Sequence, residues 1–353
     1  MPSTENLKAS VFDPIIDEET KACIVNSLWG LDSGSSHHCV PKTASNYGSY
    51  FNYYMEQCDT AGHDNRRYLS VRTHQDVVDI VNHIKTNINR DDLSQVLKAK
   101  WPHPDPRSAS AQIDGSIDLA ARLLLMIDVG DLKHGFRSGN RLIWDGGSLK
   151  SLVHSHYNTA QSLHTEHVRL EKIFNARNLV RIGGFKIEWT NNLADHLRIL
   201  NDDEKKVAIF SNFSFLKVQE NSPMFPDGLI DETLRTLALL LPRSDVETRK
   251  WYRKVSNKFL LDPQATQCNS LRLMDRHIDR FHFWRDRIVV LKEMFDEAEP
   301  RTLLQWWSDR RNVVQWYTFW VAGIVLVLTF VFGLIQCIEG GIQVYFAFPK
   351  SPA

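Results

Sequence analysis

The sequence predicts an α+β protein with a predominantly helical cytosolic domain, followed by a long helix and one C-terminal transmembrane helix. An uncharged run of 27 residues, Asn312 to Ile338, predicts the membrane span. Apolar residues at spacings of three and four predict amphipathic helices along much of the chain. Short stretches that alternate apolar and charged residues, such as Phe185 to Thr190, predict a few strands.

The C-terminal apolar run has the length and composition of a transmembrane helix rather than of a buried globular helix. Its central part, Trp316 to Ile335, would cover roughly 30 Å as a helix, the thickness of a bilayer's hydrocarbon core. Thr and Gly residues interrupt it, and both are tolerated in lipid because a Thr hydroxyl can bond the preceding turn. Trp316 and Trp320 are expected at the headgroup layer and, with Phe330 and Phe332, to form the membrane anchor.

Charges on either side of the run predict its orientation. Arg310 and Arg311 precede it, whereas Glu339 and one cation, Lys350, follow it. Basic residues stay on the cytosolic side, so the N-terminal part is expected in the cytosol. The N-terminal residues lack the apolar stretch of a signal peptide, and the span lies near the C-terminus, which predicts insertion as a tail-anchored protein. The long apolar span favours the endoplasmic reticulum or another internal membrane.

Composition limits the classes of partner and of chemistry. Lys plus Arg and Asp plus Glu both total 42, so the net charge is zero, which argues against binding to nucleic acid. The five cysteines are widely spaced and form no CxxC pair, which predicts reduced thiols. The expected partners are therefore the lipid bilayer and a protein of unspecified identity.

Residues 1–110 are predicted as an N-terminal region that is loop-rich up to residue 70 and helical beyond it. Thr73 and Asp76 form a capping pattern, and the helix after them places four apolar residues on one face: Val77, Ile80, Val81 and Ile84. A second helix is expected from Asp91 or Asp92 through Leu97. Three prolines between Trp101 and Ser110 predict an irregular loop there.

Residues 111–264 are predicted as an α+β core domain. The predicted strands are Leu142 to Trp144, Phe185 to Thr190, and Val207 to Phe210. The predicted helices are Ser116 to Ile127, a helix from Ser148 through Tyr157, Leu193 to Leu200 after a capping Asn192, and Leu229 to Leu241 before Pro242.

Residues 265–311 are predicted as amphipathic juxtamembrane helices, residues 312–338 as the transmembrane helix and residues 339–353 as a short tail. A long helix is expected from Ser270 to Phe295, with five apolar residues in a stripe: Phe281, Trp284, Ile288, Leu291 and Phe295. The stripe spans too few heptads for a coiled coil, so we expect it to pack on its own domain. A further helix is expected from Arg301 to Arg311.

Histidines are the only enriched chemical residues. His154, His156, His164 and His167 fall within fourteen residues, and three or four converging imidazole nitrogens could bind zinc. The spacing is not HExxH, and two histidines two residues apart point to different faces of a helix, which favours surface and capping histidines. No P-loop, GxSxG elbow or kinase motif is present, so no catalytic residue is assigned.

A resemblance follows from five segments: SIDLAARLLLMI (116–127), LEKIFNARNL (170–179), IEWTNNLADHLRIL (187–200), PDGLIDETLRTLALLLP (226–242) and RRNVVQWYTFWVAGIVLVLTFVFGLIQCIEGGIQVY (310–345). With them the chain resembles a family of uncharacterised single-pass membrane proteins of filamentous ascomycete fungi. The resemblance implies a topology and no activity. The C-terminal part is also remotely similar to CorA-type magnesium channels, which need two spans and a Gly-Met-Asn tripeptide. This chain has one predicted span and no such tripeptide, which argues against that transport mechanism.

These observations lead to three hypotheses of function. The first is a non-catalytic interaction or scaffold protein, with no cofactor, whose cytosolic domain is held at a membrane. The second is a membrane-tethered enzyme or accessory protein that acts on an apolar metabolite, with the histidine cluster as its centre and zinc as its metal. The third is a subunit of a CorA-like pore.

Overall fold

The structure, a computed structural model, describes residues 5–30, 44–62, 68–102, 105–130, 139–158, 168–298 and 313–347. The chain divides into two compact units, Met1–Val180 with Phe185–Glu297, and Arg181–Gly184 with Ala298–Ala353. We call the first the folded unit. The domain boundaries predicted at residues 110 and 264 stay predictions.

Helices predominate, and one small sheet accompanies them. The helices that precede the C-terminal helix are α1 (Glu18–Trp29), α2 (Gly48–Gly62), α3 (His74–Lys85), α4 (Arg90–Lys100), α5 (Pro106–Leu125), α6 (Leu149–Tyr157), α7 (Ala176–Arg181), α8 (Phe213–Gln219), α9 (Leu229–Leu240), α10 (Val246–Phe259) and α11 (Arg285–Asp296). The C-terminal helix is α12 (Val313–Ala347). The predicted α+β, mostly helical fold class, with a long apolar helix at the end, is confirmed.

The N-terminal part is more helical than predicted. The loop-rich interpretation of residues 1–70 is wrong for α1 and α2. Helix α2 carries an aromatic cluster whose members are at most 1 % exposed: Tyr50, Phe51, Tyr53 and Tyr54. The Tyr50 hydroxyl donates to the Leu123 carbonyl at 2.8 Å, and the Tyr53 hydroxyl donates to the Arg122 carbonyl at 3.2 Å. The first bond gives the Leu123 carbonyl a partner in the last turn of α5, where helical partners run out, and the second adds to the bond that the Arg122 carbonyl accepts from the Met126 N–H at 2.8 Å.

Helices α3 and α4 confirm the two helices predicted between residues 73 and 97. Thr73 Oγ1 accepts from the Asp76 N–H at 3.2 Å, and an Asp76 carboxylate oxygen accepts from the Thr73 N–H at 2.9 Å. This reciprocal pair is the predicted capping box. The four predicted apolar residues of α3 are at most 2 % exposed.

Helix α5 begins earlier than predicted. The irregular loop predicted through Ser110 is wrong from Pro106 onwards, because Pro106 occupies the first turn of α5 and Asp105 caps it. A proline is accepted there because the N–H it lacks would have no helical partner. The buried helix predicted from Ser116 to Ile127 lies inside α5 only as far as Leu125, because Met126 ends the helix with a φ of +48°. The apolar residues from Ile117 to Ile127 are at most 1 % exposed.

The sheet has the strand order β1 (Lys186–Thr190), β3 (Lys206–Phe210), β2 (Ile199–Asn201). Strands β1 and β3 are parallel and confirm two predicted strands, whereas β2 is antiparallel to β3. The helix predicted from Leu193 to Leu200 is wrong beyond a short 3₁₀ turn, Leu193–Asp195, because the following residues pair with β3. The strand predicted at Leu142 to Trp144 is reduced to one bridge between Val129 and Leu142.

The last part of the folded unit corrects the long helix predicted from Ser270. Two 3₁₀ turns, Met274–Arg276 and Ile278–Arg280, come first, and α11 begins only at Arg285. The Glu232 carboxylate of α9 accepts from the N–H groups of His282 and Trp284 at 2.7 and 2.8 Å, which holds this segment outside a helix. The predicted apolar stripe is at most 1 % exposed, so its packing on its own domain is confirmed. The helix predicted from Arg301 to Arg311 lies outside the described residues.

Candidate functional site

The C-terminal helix α12 is a candidate membrane span. Its segment Trp316–Tyr345 has 30 residues with a mean hydropathy of 2.6, and none of its most apolar window is buried. Large apolar side chains from Val321 to Ile342 are 43–73 % exposed. Thirty helical residues cover roughly 45 Å, more than the hydrocarbon core of about 30 Å. Among the described residues, α12 alone meets the length and hydropathy of a span.

The predicted anchor residues lie along this helix. Trp316 contacts Trp320 with ring centroids 6.2 Å apart, and Trp320 contacts Phe319 at 5.4 Å, which forms an aromatic group near the helix start. Phe330 and Phe332 lie farther along and are 68 % and 60 % exposed. This distribution matches amphipathic rings at one interface and apolar rings in the hydrocarbon layer.

The two threonine hydroxyls within α12 bond to the backbone of the helix itself. The Thr318 hydroxyl donates to the Val314 carbonyl at 2.9 Å, and the Thr329 hydroxyl donates to the Val325 carbonyl at 2.8 Å. The expected back-bonding of these threonines is confirmed, and it removes the cost of placing a hydroxyl in lipid. The helix also continues past Ile338, the predicted end of the span, through Glu339 to Ala347. Arg310 and Arg311, the predicted topology charges, lie outside the described residues.

The histidine cluster is only half within the described residues. His154 and His156 lie on α6, while His164 and His167 lie outside the described residues. The His154 Nε2 atom is 3.3 Å from the Pro223 carbonyl oxygen, and the His156 ring contacts Tyr157 edge-on at 4.9 Å. Burial lowers the pKa of His156. Within the described ranges no group of three or more His, Cys, Asp or Glu residues could hold a metal ion, and the zinc hypothesis stays a prediction.

A buried polar cluster around Trp284 was missed by the sequence analysis. Its centre is His196, which is fully buried. The Phe210 N–H donates to His196 Nδ1 at 3.2 Å, so the other nitrogen, Nε2, carries the proton and donates to Thr236 Oγ1 at 2.7 Å. The Trp284 ring contacts the imidazole edge-on at 5.0 Å. Burial lowers the pKa of His196 to about 3, which keeps the ring neutral.

Arginine and tryptophan side chains complete this cluster. The Arg287 guanidinium donates to the carbonyls of Ala194 and His196 at 2.8 and 2.6 Å and lies over the Trp284 ring at 5.1 Å. The Trp284 indole N–H donates to Thr233 Oγ1 at 2.8 Å. The hydrogen bonds of these polar groups connect α9, α11 and the segment before β2. The geometry therefore indicates a structural role for His196, which no periodicity or motif in the sequence could have revealed.

The described residues of the folded unit line grooves that include two with a volume of about 450 Å³ each. One lies beside α6 and is lined in part by His154, Asn158 and His282. The other, which we call the β1 groove, is lined by β1 and the residues after it, by one face of α2, by the residues after β3, and by the end of α10. Grooves of this volume are large enough for a small ligand or part of a peptide.

The comparisons with known proteins add no relative: no family model, no curated protein and no solved structure matches the chain. The resemblance to fungal single-pass membrane proteins stays a prediction.

Proposed function

We propose that the chain is a membrane-anchored, non-catalytic interaction protein whose folded unit lies in the cytosol. The observation that carries the proposal is α12, a helix of 35 residues with exposed apolar side chains around its circumference. Lipid is the solvent in which such a surface is stable, since a helix that is apolar all round needs a membrane or a protein core around it.

The proposed orientation rests on the charges that flank the helix. Arg301, Arg310 and Arg311 precede it and favour the cytosolic side, whereas Glu339 lies near its C-terminal end and one lysine follows it. The proposed location is the endoplasmic reticulum or another internal membrane. A long apolar span without a basic cluster after it supports that location.

An interaction role is favoured over catalysis by how the folded unit uses its buried ionisable groups. His196 and Arg287 bind neighbouring backbone and hydroxyl groups, as described above. His74 Nδ1 is 2.9 Å from the Tyr54 hydroxyl, and burial lowers the pKa of this histidine to about 4. The Asp262 carboxylate accepts from the N–H groups of Ser214 and Gln264 at 2.6 and 2.8 Å. Each group holds elements together, and holding a stable surface at a membrane raises its effective concentration for partners there.

Orientation is tested with glycosylation acceptors. The natural sequon at Asn212 is a poor reporter because Asn212 is 2 % exposed. Asp203→Thr creates a sequon at Asn201, the exposed last residue of β2, and a second sequon is appended after Ala353. We expect a glycan on the appended sequon alone. A glycan at Asn201 would contradict the proposal.

The interaction role is tested by proximity labelling from the N-terminus in intact cells. The full chain is compared with a chain released from the membrane by Leu326→Arg and Phe330→Arg. We expect a defined set of labelled proteins that depends on the membrane-bound chain. Identical labelling by the bound and released chains would contradict a role that depends on anchoring.

A further inference from the structure

The β1 groove runs along an unpaired strand edge. Because the strand order is β1-β3-β2, one edge of β1 faces away from the sheet. The Lys186 N–H donates to the Lys205 carbonyl at 3.0 Å, which directs the backbone of residues 186, 188 and 190 towards β3. The backbone N–H and C=O groups of Ile187 and Trp189 therefore point outwards, and no described residue bonds them. Both residues line the groove.

A row of apolar side chains, which we call the apolar seam, runs from Trp189 along α10 into the groove. The side chains at the groove end of the seam are exposed. Trp189 packs on Tyr252 of α10 with ring centroids 5.6 Å apart, and Tyr252 is 1 % exposed. Phe259, seven residues later on the same helix face, is 53 % exposed and lines the groove. Leu260 follows with a φ of +53° and is 68 % exposed. Leu260 is the C-cap of α10, a position where the left-handed conformation commonly ends a helix, and its apolar side chain lies at the rim of the groove.

Polar groups line the rest of the groove. The Asn212 Nδ2 donates to Asn191 Oδ1 at 3.0 Å, whereas the Asn212 Oδ1, although buried, has no hydrogen-bond partner among the described residues. The lining also carries the Glu188 carboxylate of β1, which pairs with Lys206 of β3.

We propose that the β1 groove binds an extended peptide segment of a protein partner, which pairs with β1 as an added strand. Free backbone donors and acceptors give such a strand its hydrogen bonds, and alternate side-chain pockets select its sequence. The open apolar seam takes an apolar side chain of the peptide. The proposal rests on the proposed interaction function and names the chemistry of the partner.

The test uses the full chain in lipid nanodiscs and a displayed library of random octapeptides as the probe. Peptides are selected on nanodiscs that carry the chain after depletion on empty nanodiscs. We expect enriched peptides that share an apolar residue at one position, for the open apolar seam. The affinity of a synthetic enriched peptide is then measured by fluorescence anisotropy.

Two modifications separate strand pairing from other modes of binding. Leu260→Gly removes the rim side chain and relieves the positive φ, so the fold is preserved. We expect about tenfold weaker peptide binding, with Ile15→Gly, an equally simple loss of an exposed side chain away from the groove, as the control. N-methylation of alternate peptide amides should abolish binding in one register and spare it in the other, because an added strand presents every second N–H to β1.

The outcomes distinguish this proposal from the broader function. Loss of binding on Leu260→Gly, together with the alternating effect of N-methylation, supports strand addition in the groove. If neither modification changes the affinity of the peptides, binding in the β1 groove is contradicted, while an interaction role of the protein is not. Failure to enrich any peptide also contradicts peptide binding in the β1 groove. The proposed function is then still tested by membrane-dependent proximity labelling.

Discussion

The folded unit and α12 use the same apolar side chains in opposite ways. In the folded unit, Leu123, Ile209 and Leu291 are fully buried, whereas in α12 Leu326, Val327 and Phe330 are 60–73 % exposed. The folded unit also buries polar groups, but it joins them in networks such as His196 with Thr236. Helix α12 places few polar groups among its apolar residues, and its threonines bond their own backbone.

This difference shows which solvent each region is suited to. Burial of apolar area drives folding in water, where each fully buried large apolar side chain contributes about 1.5–3 kcal/mol. No such gain is available to α12 if its surface faces water. Its stability depends on lipid, while that of the folded unit depends on packing, so changes in one region should leave the other unaffected.

The largest expected effect comes from placing charge in the middle of α12. Leu326→Arg with Phe330→Arg puts two cations on one helix face, each costing about 2.5–3.5 kcal/mol at the centre of a bilayer. We expect the variant to be released from membranes by alkaline extraction, while the wild-type chain is retained. Leu326→Ile with Phe330→Leu is the control and should be retained. Retention of the arginine variant would show that α12 does not hold the chain in the membrane.

A comparable change in the folded unit should affect stability alone. Trp284→Ala removes a side chain that is 1 % exposed and packs on His196, and it should lower the free energy of unfolding by about 3–5 kcal/mol. Val290→Ala in α11, the helix that Trp284 precedes, is the control: Val290 is 37 % exposed, and the free energy of unfolding should change by less than about 1 kcal/mol. Chemical denaturation followed by circular dichroism measures both. Equal stabilities of the two variants would contradict a core centred on Trp284.

The smallest expected effect is a dependence of stability on pH. The pKa of His196 falls to about 3 in the folded state, below its ordinary value of 6.5, because burial disfavours the charged ring. Below pH 6.5 the unfolded chain therefore binds more protons than the folded chain. The free energy of unfolding falls as pH is lowered towards the folded pKa, by at most about 1.4 kcal/mol per pH unit.

The measurement compares the wild-type chain with His196→Gln between pH 7 and pH 5. We expect the free energy of unfolding to fall more steeply in the wild type. Burial raises the pKa of Asp118 and of Asp262, which acts in the opposite sense in both proteins, so the difference between the slopes reports on His196. Parallel slopes would mean that His196 titrates alike in the folded and unfolded chains.

Local patterns predicted the elements whose structure depends on local interactions. The capping residues Thr73 and Asp76 marked the start of α3, and the alternation at Phe185 to Thr190 marked β1. The apolar run of α12 was predicted because its length and composition alone indicate a membrane span. These features need no knowledge of distant residues.

Distant contacts account for what the sequence did not predict. Residues 199–201 form β2 because β3 lies beside them, although their local pattern continued a helix. The segment before α11 has helical periodicity, yet Glu232, some fifty positions earlier in the chain, binds its N–H groups. The β1 groove combines residues from α2, β1 and α10, so it could be found only once these elements were placed together.

Protease protection in sealed membrane vesicles tests most directly whether α12 crosses a bilayer. The full chain carries an epitope tag after Ala353, and protease is added to the side on which the folded unit lies. We expect the folded unit to be digested and a short fragment, containing α12 and the tag, to be protected until detergent is added. Loss of the tag together with the folded unit in intact vesicles would contradict a membrane-spanning helix.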